Sequence, residues 1–334
     1  MLEGPIPSAA ASSVPFMFVR EWQDGLEVER ALVVREVEVR SKRDGAQYLK
    51  VQLGDRTGSV AAMVWEDVAT MRELCRCGCV VWVRARYSVH PRYGPQLAVG
   101  ALRSAREEEY ELEDLLDGPP RTATQMEVDL RELVGTVQNR HLSRLLAAIF
   151  GPESPVWAQF REAPAAKYYH QAYRHGLLEH CLTVAQAVSA ISATFPGIDR
   201  DVAVTGALLH DIGKLEAYTA DPRAIDMTGT GRLHGEIPLG YYRIRRAIED
   251  LSGFPEDLAE AVLHIILSHH GALEHGSPVV PCTREATLVH TIDNLGGKLG
   301  SFDRLEKELP AGQAWSGYDK AIGAGAYFSA REAA

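Results

Sequence analysis

The stretch that decides the fold reads Ala-Leu-Leu-His-Asp-Ile-Gly-Lys, at residues 207–214. Its apolar first half predicts a buried helix, and His210 and Asp211 project about 100° apart at the end of that helix. The two side chains can share one metal ion only at the mouth of a cleft between helices. Because a carboxylate has two oxygens, Asp211 can also bridge a second metal, and Gly213 permits close approach of backbone or substrate.

Three further histidine positions and one aspartate are candidates to complete a metal site. His180 lies in an apolar helical stretch and therefore faces inward, where it needs a polar partner. Asp293 ends another apolar helix face, and because burying a lone carboxylate is costly, a metal or a cation is expected beside it. His234 opens a helix after a glycine-containing loop, and His269 with His270 ends another helix. The sequence thus predicts a site built from several helices.

This ordered set of residues resembles the HD superfamily of metal-dependent phosphohydrolases over about residues 165–310. In that family the first His, the His-Asp pair and the last Asp form one metal site. Two intervening histidines mark the members with two metals, and the Asp of the pair bridges them. One residue of the His-His pair is then a ligand, and the other supports a ligand or contacts phosphate. The resemblance implies the metal ligands His180, His210, Asp211, His234, His269 or His270, and Asp293.

Mixed His and Asp ligands suit Mn²⁺, Fe²⁺, Co²⁺ or Mg²⁺, and the lack of thiolates argues against structural zinc. We expect two divalent ions, Mn²⁺ first among them, about 3.5–4 Å apart, which would activate a water and hold the phosphate oxygens. Lys214 is a catalytic candidate because it can neutralise charge growing on the phosphoryl group; the alternative is a surface ion pair with Asp211. His234 joins Asp211 and Lys214 as the third catalytic candidate, with a plain substrate contact as its alternative.

Residues 17–106 have the alternating apolar and polar pattern of β-strands. Asp44-Gly45 is a strong hairpin signal. A short helical stretch separates the third predicted strand from the fourth, which is the order of an OB-fold barrel. The later pattern is helical, with helices predicted over Asp129–Phe150, Ala166–Thr194, Asp201–Ala217, Gly235–Ser252, Pro255–His270 and Thr283–Leu299.

The predicted fold class is therefore a five-stranded OB-fold β-barrel followed by an all-α HD domain. The sequence divides into six segments: a disordered lead-in 1–16, the barrel 17–106, an acidic linker 107–120, a helical connector 121–164, the HD domain 165–310 and a C-terminal tail 311–334.

The net charge of −10 is unevenly distributed along the chain. Residues 17–106 carry 15 Lys and Arg against 11 Asp and Glu, whereas residues 107–334 carry 20 against 33. This asymmetry fits polyanion contact by the barrel and metal chemistry in the helical part. The alternative is that the small positive surplus of residues 17–106 reflects ordinary variation in composition. No apolar run reaches the roughly 20 residues of a membrane helix, so we expect no membrane partner.

The five cysteines are scattered and odd in number, which is typical of a reducing compartment. The first residues lack the pattern of a signal peptide, so we expect a cytoplasmic protein rather than a secreted one. Cys75, Cys77 and Cys79 have the wrong spacing for a zinc site. We interpret them as a turn that leads into a strand.

An OB-fold joined to an HD domain resembles the YhaM family of 3′→5′ exoribonucleases over nearly the whole chain. The stretches that carry this resemblance are 49–58, 164–167 with His170, 268–271, and 293–295 with Lys298. One departure is His175, where a small residue is expected. The resemblance implies hydrolysis of the terminal phosphodiester of single-stranded RNA to nucleoside 5′-monophosphates. Single-stranded DNA stays a possible second substrate. We also expect a homo-oligomer. The expected substrate contacts are Lys167, His170, Lys214, Tyr93, Arg92 and Lys298.

Aromatic and basic side chains in the barrel could stack on bases and follow phosphates. Trp65 and Trp82 have apolar neighbours and are interpreted as barrel core, whereas Tyr93 and Arg92 fall in a loop and are better candidates for RNA contact. Two other function classes remain open at this point. One is an HD hydrolase of nucleotides or cyclic dinucleotides that uses the barrel for assembly. The other is a nucleic-acid-binding protein with an inert HD site.

Overall fold

The computed structural model describes residues 17–41, 45–91, 94–167, 171–309 and 312–329. The chain divides into two compact units, residues 1–117 and 118–334. Within the described ranges, no helix is both long enough and apolar enough to span a membrane.

The first unit is a closed barrel whose strands follow the order β1-β2-β3-β5-β4. Neighbouring strands are antiparallel except for β3 and β5, which pair in parallel and close the barrel. The helix α1 (Val68–Leu74) lies between β3 and β4, so the OB-fold prediction is confirmed. The strands are β1 (Glu27–Ser41), β2 (Gln47–Asp55), β3 (Gly58–Val64), β4 (Val80–His90) and β5 (Gly94–Ser104).

The alternation that predicted the strands also builds the barrel core. Along β2, Leu49, Val51 and Leu53 are fully buried, while Lys50 and Gln52 between them are only partly buried. Side chains two residues apart share one face of a strand, so the apolar set points into the barrel. The polar set is left on its outer surface.

Buried Asp55 fixes the end of β2 to the segment that precedes β1. Its carboxylate accepts hydrogen bonds from the Val19 amide at 2.8 Å and from the Thr57 hydroxyl at 2.7 Å, and it lies 3.3 Å from the Arg30 guanidinium. A buried carboxylate is costly unless it is paired in this way. The short 3₁₀ helix Val19–Glu21 is thereby held against the barrel.

The acidic stretch after β5 is structured. It contains a 3₁₀ turn, Glu107–Glu109, and the short helix α2 (Leu112–Leu115). The Arg35 guanidinium donates to the Leu115 carbonyl at 2.9 Å, and Leu115 is fully buried. This part of the acidic stretch therefore folds onto the barrel.

The second unit is a helical domain built around α7, which packs against α6, α11 and α12. Leu208 and Leu209 on α7 are fully buried, and every residue of this helix after the first two is buried, as in a helix at the centre of a core. A Cβ on Gly206 would lie 2.3 Å from Ile265 Cδ1, so α7 and α11 approach closely only because residue 206 is glycine. The helices are α3 (Ala123–Gly135), α4 (Arg140–Phe150), α5 (Pro155–Glu162), α6 (Gly176–Ser192), α7 (Arg200–Leu209), α8 (Lys214–Ala217), α9 (Gly229–His234), α10 (Glu236–Glu249), α11 (Glu256–Ser268) and α12 (Arg284–Glu308).

Two predicted helices are divided in the structure. The helix predicted over 129–150 is interrupted between α3 and α4, where the Asn139 side chain caps α4 by accepting from the His141 amide at 3.0 Å. Asp201 accepts from the Asn139 amide at 2.7 Å and holds this turn in place. The helix predicted over 201–217 ends at Leu209, and the turn that follows carries His210 and Asp211.

A C-terminal hairpin was not predicted from the sequence. It consists of β6 (Trp315–Asp319) and β7 (Ala324–Tyr327) and is tied to α12 by an ion pair of 2.5 Å between Arg304 and Asp319. Its strands are rich in glycine and lack an alternating pattern, which explains why the prediction ended in a tail.

Candidate metal centre

Four helices bring five ionisable side chains to one place in the helical domain. His180 lies inside α6, His210 and Asp211 follow the end of α7, His269 follows the end of α11, and Asp293 lies inside α12. The first four are buried and Asp293 is half-buried. The apolar faces of these helices form the core, so the ligands are fixed by the same packing that folds the domain.

His180 is the centre of this cluster. Its Nε2 lies 3.1 Å from Asp293 Oδ1, 3.2 Å from Asp211 Oδ2 and 3.2 Å from His210 Nε2. Ligand atoms of His180, His210 and Asp293 all lie within 4.8 Å of one another. One metal ion can therefore contact all three.

The Nδ1 atoms of His210 and His269 contact backbone carbonyls. His210 Nδ1 lies 2.7 Å from the Ala207 carbonyl, and His269 Nδ1 lies 2.7 Å from the Ile266 carbonyl. Such contacts leave Nε2 of each ring free to bind a metal, because they fix the proton on Nδ1.

Two buried atoms of the cluster show that it fits a metal ion. Asp211 Oδ1 and His269 Nε2 are buried and accept or donate no hydrogen bond within the described part of the chain, although they lie only 3.4 Å apart. Leaving a buried polar atom unsatisfied costs about 1–3 kcal/mol. A divalent cation would satisfy both atoms, and the mixed His and carboxylate donor set suits Mn²⁺ or Fe²⁺.

The pKa values of the cluster reflect burial and mutual attraction. Burial lowers the pKa of His180, but hydrogen bonds to Asp211 and Asp293 outweigh it and raise that pKa to about 9. Burial lowers the pKa of His210 to about 4. Burial opposes ionisation of Asp293, yet the hydrogen bond from His180 holds its pKa below the ordinary value. Both carboxylates of the cluster are thus ionised at neutral pH.

Lys214, the first residue of α8, contacts the cluster. Its Nζ lies 2.6 Å from Asp211 Oδ2, and its side chain is only 13% exposed. Burial lowers the pKa of Lys214, but the Asp211 carboxylate more than offsets this and raises it, so the ammonium stays charged. Lys214 therefore forms an ion pair with Asp211, but a buried one rather than the surface pair considered from the sequence.

The model of the HD domain family matches residues 177–297, a range that contains the whole cluster. The 3′-5′ exoribonuclease YhaM of Geobacillus sp. is 30% identical over 86% of this chain and 88% of its own length. The YhaM proteins of Bacillus subtilis and Bacillus velezensis are each 28% identical over 86% of this chain and 90% of their own length.

The chain belongs to the YhaM family. The resemblance drawn from the sequence is confirmed, and it extends over both units rather than over the HD domain alone.

In this YhaM-family chain, the two members of the His-His pair face different ways. His269 faces Asp211, whereas His270 Nε2 lies 3.6 Å from Glu236 Oε1 and its Nδ1 lies 3.0 Å from the His275 carbonyl. His234 is exposed at the last residue of α9. The structure therefore brings His269 to the cluster but not His234, and it leaves His270 at the edge.

The predicted substrate contacts are dispersed. Lys167 Nζ forms an ion pair of 2.7 Å with Asp226, and Arg232 reaches the same carboxylate at 3.2 Å. Lys298 is exposed on α12. Three of the predicted contacts fall outside the described residues, namely His170, Arg92 and Tyr93.

Trp65 and Tyr48 form an aromatic pair at the barrel surface. Trp65 is 52% exposed and stacks on Tyr48 with ring centroids 4.6 Å apart. The interpretation of Trp65 as core was wrong, because outward positions alternate along β3 and Trp65 continues the outward set. Trp82 was also interpreted as core, but it is only partly buried and lies under the Arg103 guanidinium at 4.6 Å. Trp22 and Tyr87 are aromatic residues buried in the barrel core.

Two residues that support the cluster were missed from the sequence. Gln171 Oε1 lies 3.0 Å from His180 Nδ1. His290 places its Nδ1 2.7 Å from the His269 carbonyl. A Cβ on Gly271 would lie 2.1 Å from the His290 ring, so this contact requires glycine there. Sequence spacing does not predict either contact, because each joins residues from two different structural elements.

Proposed function

We propose that this chain is a metal-dependent 3′→5′ exoribonuclease that hydrolyses the terminal phosphodiester of single-stranded RNA and releases nucleoside 5′-monophosphates. The observation that carries the proposal is the convergence of His180, His210, Asp211 and Asp293, with an unsatisfied Asp211 oxygen beside His269. Membership of a family whose relatives are named 3′-5′ exoribonucleases supports the polarity and the RNA substrate.

The proposed cofactor is a pair of divalent cations, with Mn²⁺ as the first choice. His180, His210, Asp211 and Asp293 would hold one ion, and Asp211 with His269 would hold the other. When bound, such ions lower the pKa of a coordinated water and bind phosphate oxygens. His234 and His270 stay predictions, as further ligands or as contacts to phosphate.

Lys214 is proposed to act in two ways through its charge. Its ammonium orients Asp211 through the 2.6 Å ion pair, and it adds positive charge where a phosphoryl group gains negative charge in the transition state. Because its side chain is mostly buried, this charge acts in a medium of low dielectric constant, which strengthens its effect.

The stacked pair of half-buried Tyr48 and exposed Trp65 is proposed as the surface on which the barrel binds RNA. Aromatic faces stack on unpaired bases without sequence preference, whereas a paired helix hides its base faces. Arg40 lies opposite Tyr48 in the neighbouring strand, where it forms an ion pair of 2.6 Å with Glu38, and Lys50 follows Tyr48 on the same side of β2. Lys50 is therefore the cation proposed to contact phosphate beside the pair. The predicted contacts Lys167 and Lys298 remain proposals for the phosphate backbone.

We propose that the protein works in the cytoplasm as a homo-oligomer. The cysteines of the chain are free thiols, as a reducing compartment favours. Analytical ultracentrifugation at several concentrations tests the oligomer, and a single monomeric species would exclude it.

The proposed function is tested with RNA that carries a 5′ label, a stem and a single-stranded 3′ extension. With Mn²⁺ the protein should shorten the extension to a ladder that stops near the stem, and the released products should be nucleoside 5′-monophosphates. The variant Asp293→Asn should be inactive, and Asp257→Asn, which changes an exposed aspartate on α11, should not be. Immediate release of labelled mononucleotide, or no Mn²⁺-dependent product, would refute the proposal.

A further inference from the structure

The three histidines of the cluster are held by two different kinds of partner. His210 and His269 follow the last residues of α7 and α11, and each Nδ1 contacts a backbone carbonyl three residues earlier, at 2.7 Å. Carbonyls in the last turn of a helix have no partner within the helix, so they are available to these rings.

His180 lies inside a helix, whereas the other two histidines follow the ends of theirs. It is the fifth residue of α6, which runs from Gly176 to Ser192, so the carbonyls of the preceding turn already accept amide hydrogens of the helix. Its Nδ1 faces a side chain instead, the Gln171 Oε1 at 3.0 Å. The histidine with the most contacts in the cluster therefore depends on a residue outside the helix.

A backbone hydrogen bond and a close approach to α6 hold the backbone of Gln171 in position. Its φ angle is +62°, in the left-handed region that a glutamine rarely adopts, and its carbonyl accepts a hydrogen bond from the Ala165 amide at 3.1 Å. A Cβ on Gly176 would lie 2.0 Å from that same carbonyl. The first residue of α6 must therefore be glycine for the Gln171 backbone to lie this close to the helix that carries His180.

We infer that Gln171 is a positioning residue for the metal centre, an inference that rests on the proposed metal-dependent function. Its Oε1 accepts the Nδ1 hydrogen of His180, so Nε2 keeps its lone pair for a divalent cation. The same hydrogen bond stops rotation of the ring, which keeps Nε2 between Asp211 and Asp293. Gln171 itself touches neither metal nor substrate.

The test compares Mn²⁺ binding by the metal-stripped wild type, Gln171→Leu and Gln171→Glu, with free Mn²⁺ measured by electron paramagnetic resonance. Loss of a hydrogen bond to a metal-bound histidine weakens metal binding about 10- to 100-fold. Gln171→Leu should show that loss, while Gln171→Glu, which keeps an acceptor oxygen, should bind Mn²⁺ at least as tightly as the wild type. Gln159→Leu on α5 is the matched control, because Gln159 is exposed, and its affinity should be unchanged.

A merely structural role for Gln171 predicts different results. The unfolding midpoint of the metal-free Gln171→Leu protein would then fall, and Gln171→Glu would not restore affinity. Equal Mn²⁺ affinity of Gln171→Leu and the wild type would overturn the inference and leave the proposed function intact. Failure of the wild type to bind Mn²⁺ would overturn both.

A second measurement needs no variant. In the Zn²⁺-loaded wild type, two-bond ¹H–¹⁵N spectra should find the His180 proton on Nδ1 and the metal on Nε2. The opposite assignment would overturn the inference even if the Leu variant did not fold.

Discussion

The Lys214 ammonium lies 2.6 Å from Asp211 Oδ2, the oxygen that His180 Nε2 also approaches to 3.2 Å. The other oxygen of Asp211 faces His269 at 3.4 Å. Asp211 thus divides its two oxygens between two groups of neighbours. This division makes Asp211 the one residue whose loss would disturb every part of the proposed centre.

Replacing Asp211 should abolish hydrolysis. Asp211→Asn keeps the size of the side chain but removes the charge, and we expect RNA hydrolysis to fall at least about 100-fold, because even outer contacts to metal ligands are worth 10- to 100-fold. Rates on labelled RNA, bound metal and circular dichroism are measured together. A folded variant with full activity would rule out this assignment.

Replacing Lys214 should separate metal binding from turnover. In Lys214→Met the charge beside the phosphoryl group is lost, and kcat should fall about 10²–10³-fold. Mn²⁺ affinity should change much less than kcat, because the variant loses a competitor for Asp211 Oδ2 together with the contact that orients this carboxylate. Lys214→Arg serves as the charge-conserving control. Weaker Mn²⁺ binding by Lys214→Met with unchanged kcat would assign the lysine to holding the site rather than to the reaction.

Stability of the metal-free protein should decrease as the pH rises from about 6.5 to 9. The pKa of His180 is raised from 6.5 to about 9 in the folded protein, so the folded state binds its proton more tightly than the unfolded state does. That stabilisation is fully present below pH 6.5 and is lost as the pH rises through 9, for a total of at most about 3 kcal/mol. The raised pKa of His269 acts with the same sign.

Urea unfolding in the presence of a chelator measures this pH dependence. His180→Asn should have a shallower slope over the same range. The lowered pKa of His210, about 4, acts below pH 6.5 and does not enter this window. A wild-type stability that rises with pH between 6.5 and 9 would contradict the prediction.

Trp65 on the barrel surface should contribute to RNA affinity. A stacked base is worth about 1–3 kcal/mol, so Trp65→Ala should weaken binding of single-stranded RNA about 5- to 150-fold. The matched control is Trp315→Ala, because Trp315 is 61% exposed on the C-terminal hairpin. Fluorescence anisotropy with labelled RNA, in the presence of a chelator, keeps binding separate from hydrolysis. Equal affinities of the two variants would exclude the Tyr48–Trp65 pair as the binding surface.

The sequence was informative where a pattern repeats within one element. Alternation over residues 17–106 predicted the strands of the barrel, and the apolar run before His210 predicted a buried helix. Trp65 was misplaced because apolar neighbours were taken as a sign of burial, whereas its position in the alternation points outward. Strand register, rather than local composition, decides burial in a barrel.

Sequence reasoning could not supply contacts between elements distant in the chain. Gln171 contacts His180, and His290 contacts the backbone of His269. Each contact joins residues from different structural elements, and sequence spacing does not predict such contacts. His234 shows the converse, since its place in the ordered set predicted a ligand while the structure has it exposed at the end of α9.

The candidate centre takes its ligands from four helices, and the last of these ligands is Asp293, late in the chain. During synthesis the barrel and α6 leave the ribosome well before α12 does. Until residue 293 has emerged, His180 and His210 lack the carboxylate that completes their group. A nascent chain of this protein would therefore be unable to complete the proposed hydrolytic centre until residue 293 has left the ribosome.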